Sequence, residues 1–313
     1  MAIAAAMLWI YPPALDEVHH GLFYTTRVSY ICSPPLARAL AIALGVAAAL
    51  MLLLLNKVYT FIRAVTNLQA TLLAALLAAW PAAVVCGTAM VLPLLFTLLV
   101  ILVFESYEQP ASQRRCLTAA AVISTGCLFD YAFAVLLPPI VIGMINAKAM
   151  NVKTAIATAL GLIAPPWIVL ATGLAHLSQF NVPHVEPVTL SVLDIGYSRI
   201  MVANTVARMS LIALCIVTLS LMIANVAATE SNRLVLRVHN SVFHLTGVTV
   251  VVAMLVDVDS VPTLLPLLCL TAAHEVTQFT AHSRSPLRYL LPLLLLLAVP
   301  VLFIVCLVVT IDV

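Results

Sequence analysis

Uninterrupted apolar stretches separated by short polar connections set the pattern of this chain. The longest cover residues 36–56, 68–86, 88–104, 155–175, 201–227, 242–256, 262–278 and 288–311. Wound as helices, they carry Leu, Ala and Val on every face, as expected of spans that face lipid and one another. Several exceed the ~18 apolar residues that mark a transmembrane helix. Pro81, Pro93, Pro165, Pro166, Pro266, Pro292 and Pro300 fall in or beside these spans. A helical bundle tolerates them because neighbouring groups satisfy the freed carbonyls. The pattern predicts an all-α polytopic transmembrane bundle of about nine to ten membrane segments, with residues 1–313 forming a single integral membrane domain.

One stretch has an awkward length. Residues 117–145 would make about 43 Å of helix at 1.5 Å per residue, whereas two full spans need roughly 40 residues. The basic residues indicate how it is used. Lys57 and Arg63, Arg114 and Arg115, Lys148 and Lys153, Arg233 and Arg237, and Arg284 and Arg288 fall in five connections. The excess of Lys and Arg in cytoplasmic loops places all five inside. Residues 176–198 hold Glu186 and Asp194 but no Lys or Arg, and the 257–261 turn holds Asp257 and Asp259. Both face outward on the same rule, and Arg27 is the main exception. Segment 117–145 lies between two cytoplasmic connections, so it must enter and return. A short or re-entrant helical hairpin turning near Asp130 meets both requirements. The alternative, a single long tilted helix, would put Lys148 and Lys153 outside.

Composition supports the membrane assignment and excludes other classes. Hydrophobic residues make up 64% of the chain and charged residues 8%, against roughly 45–50% and 25% in a soluble domain. A net charge of +2, with its basic residues dispersed, does not point to a nucleic-acid partner. The seven cysteines form no CxxC pair. Most lie inside apolar runs, where a thiol packs as a small hydrophobe. The first thirteen residues, MAIAAAMLWIYPP, carry no basic leader region, and their apolar part is short for a full span.

Candidate chemistry is sparse. Asp130, inside TGCLFDYAFAVLLPP, is either an intramembrane functional carboxylate or the N-cap of the returning helix. LDEVHHGLFY, residues 15–24, places Asp16 and Glu17 beside two histidines in the first outer loop. Such a group can act as general base or hold a divalent ion, and it also reads as a solvated polar loop. Membrane glycosyltransferases that use lipid-linked sugars commonly carry an acidic residue at that position, a similarity of place and residue type. HEVTQ, residues 274–278, lacks the second histidine of a zinc-protease HExxH. DVD, residues 257–259, has no soluble nucleotide-binding domain around it. His176 and His184 lack a third ligand nearby, so neither a metal nor a cofactor is predicted. RLVLRVHN, residues 233–240, spaces Arg233 and Arg237 four apart, with His244 further on, and Arg284 and Arg288 repeat that spacing. All four arginines are candidate contacts for anionic lipid headgroups.

Three stretches together carry a family resemblance: LGVAAALMLLLLNKVYTFIRAV, FESYEQPASQRRCLTAAAVISTGCLFDYAFAVLLPP and NRLVLRVHNSVFHLTGVTVVVA. Over residues 20–305 they resemble a family of polytopic inner-membrane proteins, defined by a domain of unknown function and common in Bacteroidota. That resemblance implies the bacterial inner membrane and an association with envelope glycan or polyprenyl-phosphate sugar metabolism. It assigns no activity to any residue.

Three functions are consistent with the sequence. The leading expectation is an inner-membrane component of envelope biogenesis that binds membrane lipids or a membrane-protein partner. The second is a glycosyltransferase or polymerase using a lipid-linked sugar, with Asp16 or Glu17 as base or metal ligand and Asp130 in support. The third is a transporter whose binding element is the 117–145 hairpin. A carrier of a hydrophilic solute should show polar groups converging at mid-membrane.

Overall fold

The computed structural model describes residues 18–27, 34–60, 62, 67–80, 89–109, 112–182, 205–228, 234–257, 260–282, 289–298 and 301. Among the described residues, ten α-helices build an all-α bundle: α1 (Pro34–Tyr59), α2 (Leu68–Ala79), α3 (Val91–Glu105), α4 (Gln113–Phe129), α5 (Leu137–Asn146), α6 (Val152–Ala171), α7 (Thr205–Ala228), α8 (Leu234–Val256), α9 (Val261–His282) and α10 (Tyr289–Ala298). A small antiparallel hairpin precedes them, β1 (Val18–His20) and β2 (Thr25–Arg27), with His19 opposite Thr26.

α1, α6, α7 and α8 contain stretches long and apolar enough to cross a membrane. They also leave large apolar side chains uncovered, among them Leu50 and Leu54 on α1, Ile163 and Trp167 on α6, and Ile216 and Ile223 on α7. Exposed apolar faces on this scale suit lipid and not water. The chain is a membrane protein.

α9 occupies the opposite position, at the centre. Every residue from Val261 to Gln278 is buried except Pro262. α2, α3, α7 and α8 surround it. A helix covered on all sides is normally apolar all round. α9 is so in its first half apart from Thr263. Its second half carries Thr271, His274, Glu275, Thr277 and Gln278 into the interior.

The 117–145 segment is the expected hairpin. α4 runs out to Phe129, Asp130 adopts an extended conformation (φ −155, ψ 126), and a 3₁₀ turn over Tyr131–Leu136 leads into α5. Asp130 Oδ1 accepts the Ala132 N–H at 2.9 Å and so caps the returning segment. At the other end the chain closes on itself. The Glu108 amide donates to Ala147 O at 2.8 Å, and Ser112 Oγ donates to Ala149 O at 3.3 Å. The two flanks of the hairpin therefore lie side by side.

α6 then begins beside those flanks and runs back along α4. Its start is fixed by a capping box in which Asn151 Oδ1 accepts the Thr154 amide and Thr154 Oγ1 accepts the Asn151 amide. Contact with α4 is close because position 161 is glycine: a Cβ there would lie 2.4 Å from Leu117 O. Pro166 has no N–H to give Leu162 O, its partner one turn back. Ser124 Oγ on α4 donates to that carbonyl at 2.6 Å instead. The neighbouring helix thus satisfies the backbone group that the proline leaves free.

These packings define two ends. The sites of Lys57, Arg115, Lys148, Lys153 and Arg237 gather at one, tied together by Lys148–Glu108 at 3.4 Å, Arg115–Glu105 at 3.5 Å and Asn146 Nδ2 donating to Ser241 Oγ at 3.4 Å. The hairpin β1–β2, the Asp130 turn and residues 172–182 gather at the other. There the Leu22 amide donates to Cys127 O at 2.9 Å and the Asn181 amide to Leu22 O at 2.9 Å, and Tyr131 Oη donates to Asn181 O.

Candidate functional site

Among the sequence-derived candidates, Asp16, Glu17, Arg233, Arg284 and Arg288 lie outside the described residues. Arg237 is described and exposed near the start of α8, where a headgroup contact would be made. Asp130 is buried, and its carboxylate caps the 3₁₀ turn as described above. The outer-loop segment comes close to it. Gly21 is pressed so tightly against the end of α4 that a Cβ there would fall 2.0 Å from Leu128 O. Tyr24 stacks on Phe129 with ring centroids 6.0 Å apart. His20 of the same segment is exposed.

The hairpin itself encloses little. Between α4, α5 and the start of α6 lies a cavity of about 10 Å³ with a largely apolar lining that includes Cys116, Ile123, Ile140 and Met144. A space of that size has room for about one water at most, and so apolar a lining offers it few of the polar partners an ordered water needs.

The polar chemistry is concentrated instead around the second half of α9. His244 Nδ1 lies 2.6 Å from Glu275 Oε1. Asn225 on α7 donates both amide hydrogens to the same residue, at 2.8 Å to Oε2 and 2.9 Å to the main-chain O. Both carboxylate oxygens are thereby engaged, by groups from two other helices. Relative exposure is 7% for His244 and 1% each for Glu275 and Asn225, so lateral access from lipid or water is closed. Ionisable groups this deep in a membrane bundle are expensive unless paired, and this pairing is complete on the carboxylate side. His244 Nε2 has no hydrogen-bond partner.

His274 sits next to this group, its ring centroid 6.2 Å from that of His244. It stacks on Phe243 at 4.0 Å, and Phe243 in turn meets Phe96 edge-on at 5.3 Å. Gln69 Nε2 on α2 lies 3.3 Å from His274 Nδ1. The contact joins the carboxamide to the ring, with donor and acceptor set by the His274 tautomer. Gln278, one turn further along α9, is fully buried beside His274, and the buried Asn240 on α8 has neither carboxamide atom hydrogen-bonded. On α8, His239 stacks on Phe104 at 3.8 Å with Tyr59 and Tyr107 edge-on, and both its ring nitrogens are unpaired.

The site joins helices α2, α7, α8 and α9. Its partners are separated by 31, 50 and 205 positions, so no local motif marks it. The nearest signal is the spacing of Thr271, His274, Glu275 and Gln278, which places four polar side chains on one helical face. In HEVTQ, His274 contacts Gln69, and Glu275 contacts His244 and Asn225. Among the described residues, no three His, Cys, Asp or Glu side chains gather as metal ligands. The arrangement suits proton exchange: an imidazole and a carboxylate share a hydrogen, a second imidazole lies close by, and polar side chains with spare hydrogen-bonding capacity lead away from them.

Fold and site together define an all-α membrane protein with an ionisable centre buried in its helix bundle. No family model, curated protein or solved structure matches the chain.

Proposed function

We propose that this protein is a multi-pass membrane transporter that moves protons across the bilayer, with His244 and Glu275 as the exchanging pair. The observation that carries this reading is the 2.6 Å contact between His244 Nδ1 and Glu275 Oε1, deep in the bundle and held from behind by Asn225. Buried ionisable pairs within membrane helices characteristically mark proton and ion pathways. The working element is the α7–α8–α9 group and not the 117–145 hairpin, whose lining is apolar. The cation-bearing end faces the cytoplasm on the positive-inside rule, and the membrane implied by the family resemblance is the bacterial inner one.

A purely lipid- or partner-binding component of the envelope needs no such centre. The two readings separate in proteoliposomes holding a pH-sensitive dye, with a potassium gradient and valinomycin setting the potential. Transport predicts lumenal acidification that the purified protein supports and Glu275→Gln abolishes. Acidification no faster than in protein-free liposomes overturns it.

A further inference from the structure

The buried polar groups are unevenly distributed along α8 and α9. Gly247 beside Thr271, where a Cβ would lie 3.8 Å from the threonine side chain, and His244 beside Glu275 fix the antiparallel register of the two helices. That register sets Asn240 level with Gln278, on the side of Glu275 nearer the cation-bearing end. It sets Val251 level with Leu267 on the far side.

On the near side, Asn240 and Gln278 are buried, and both side-chain amide atoms of Asn240 are unpaired. One turn further out, His282 Nδ1 meets Gln278 O at 3.0 Å while its Nε2 is unpaired. Beyond Thr271 on the far side, both helices bury apolar side chains: Val250, Val251, Met254, Leu264, Leu267 and Leu268. Thr263 is the one buried polar side chain there among the described residues of α8 and α9.

Unpaired amide atoms are costly in an apolar interior unless something bonds to them. Buried water commonly fills that role, making about three hydrogen bonds to otherwise unsatisfied groups. Two buried carboxamides at the same level of adjacent helices offer donors and acceptors together, which matches water or a hydrated proton better than an anion or a metal ion.

We infer that Asn240 and Gln278 form a water-binding site that connects the His244–Glu275 centre to the cation-bearing end, and that the apolar layer around Val251 and Leu267 closes the centre from the opposite end. The centre is thus open to water from one side only. Naming protons as the traffic rests on the proposed function, whereas the one-sided water access is a separate claim.

Single variants Asn240→Cys, Gln278→Cys, Val251→Cys and Leu267→Cys test it. Each is treated with a small, water-soluble, membrane-impermeant methanethiosulfonate reagent, in inside-out and in right-side-out vesicles. Peptide mass spectrometry distinguishes the introduced thiol from the native cysteines. Thiols react as thiolates and need water to ionise, so positions 240 and 278 should react about tenfold faster or more than 251 and 267, from the cation-bearing side only. Equal protection at all four positions overturns the inference, as does equal reactivity at all four or faster reaction at 251 and 267. His282→Cys, one turn further out, replaces Gln278→Cys should that variant fail to fold. Labelling at 240 and 278 without proton flux would leave the water site standing and remove the proposed transport. Flux with uniform protection would do the reverse.

Discussion

His244 and Glu275 meet at 2.6 Å across α8 and α9, both buried in the bundle. The contact makes the two residues interdependent, because each is the other's means of being buried. It also accounts for the position of α9, a helix that needs neighbours on every side to hold its polar half away from lipid.

Breaking that pair from one side should be costly. Glu275→Leu leaves His244 Nδ1 and one of the two Asn225 amide hydrogens without a partner, and the expected loss of stability is about 3–5 kcal/mol. The double variant His244→Leu/Glu275→Leu removes both polar groups and should recover much of that loss. Thermal unfolding in detergent, followed by loss of the monodisperse species, measures both. A single variant as stable as the parent would show that the pair does not form.

Gly161 sets the distance between α4 and α6. A Cβ there meets Leu117 O at 2.4 Å and Ala120 Cβ at 2.9 Å. Backbone can yield only by moving the helices apart, so Gly161→Ala should cost about 1–3 kcal/mol. Gly247→Ala meets its nearest atoms at an ordinary 3.8 Å and should be close to neutral in the same unfolding assay.

Topology follows from the hairpin. The flanks of segment 117–145 are joined by the Glu108–Ala147 and Ser112–Ala149 hydrogen bonds, whereas α6 carries the chain from Asn151 to the other end. Gln113→Cys and Met150→Cys should therefore label with an impermeant thiol reagent from the same side of sealed vesicles, and Leu174→Cys from the other. Labelling of positions 113 and 150 from opposite sides would contradict the hairpin.

Asp130 acts through the backbone. Asp130→Ala removes the acceptor for the Ala132 amide and should cost about 1 kcal/mol, and Asp130→Asn should retain most of the cap. Neither change should alter proton flux. A flux defect in Asp130→Asn at full stability would instead give the carboxylate a chemical role.

The hairpin was legible in the sequence and the polar centre was not, for physical reasons. Span length and the placement of Arg114, Arg115, Lys148 and Lys153 are local quantities, and together they require a return near Asp130. Helix propensity and hydropathy likewise located α1, α6, α7 and most of α8 and α9 within a few residues. Of the 68–86 span, α2 covers Leu68–Ala79, and residues 81–86 lie outside the described residues. Glu275 gave a misleading signal, because HEVTQ invites comparison with a zinc motif that it does not complete. Its actual partners, His244 and Asn225, lie on other helices and become neighbours only when α9 is enclosed. Gln69, one polar residue near the start of an apolar run, carried no signal of its partnership with His274. The β1–β2 hairpin was also unforeseen, its strands being three residues each and held by docking on α4.

The most direct test of the central claim is the initial rate of proton entry into proteoliposomes, for the parent protein and Glu275→Gln side by side at equal reconstitution. Glutamine keeps the shape and the hydrogen bond to Asn225 while removing the titratable group. The account predicts potential-driven acidification by the parent and a rate in Glu275→Gln reduced to that of protein-free liposomes. Equal rates in the two proteins, or no acidification by the parent, would contradict it.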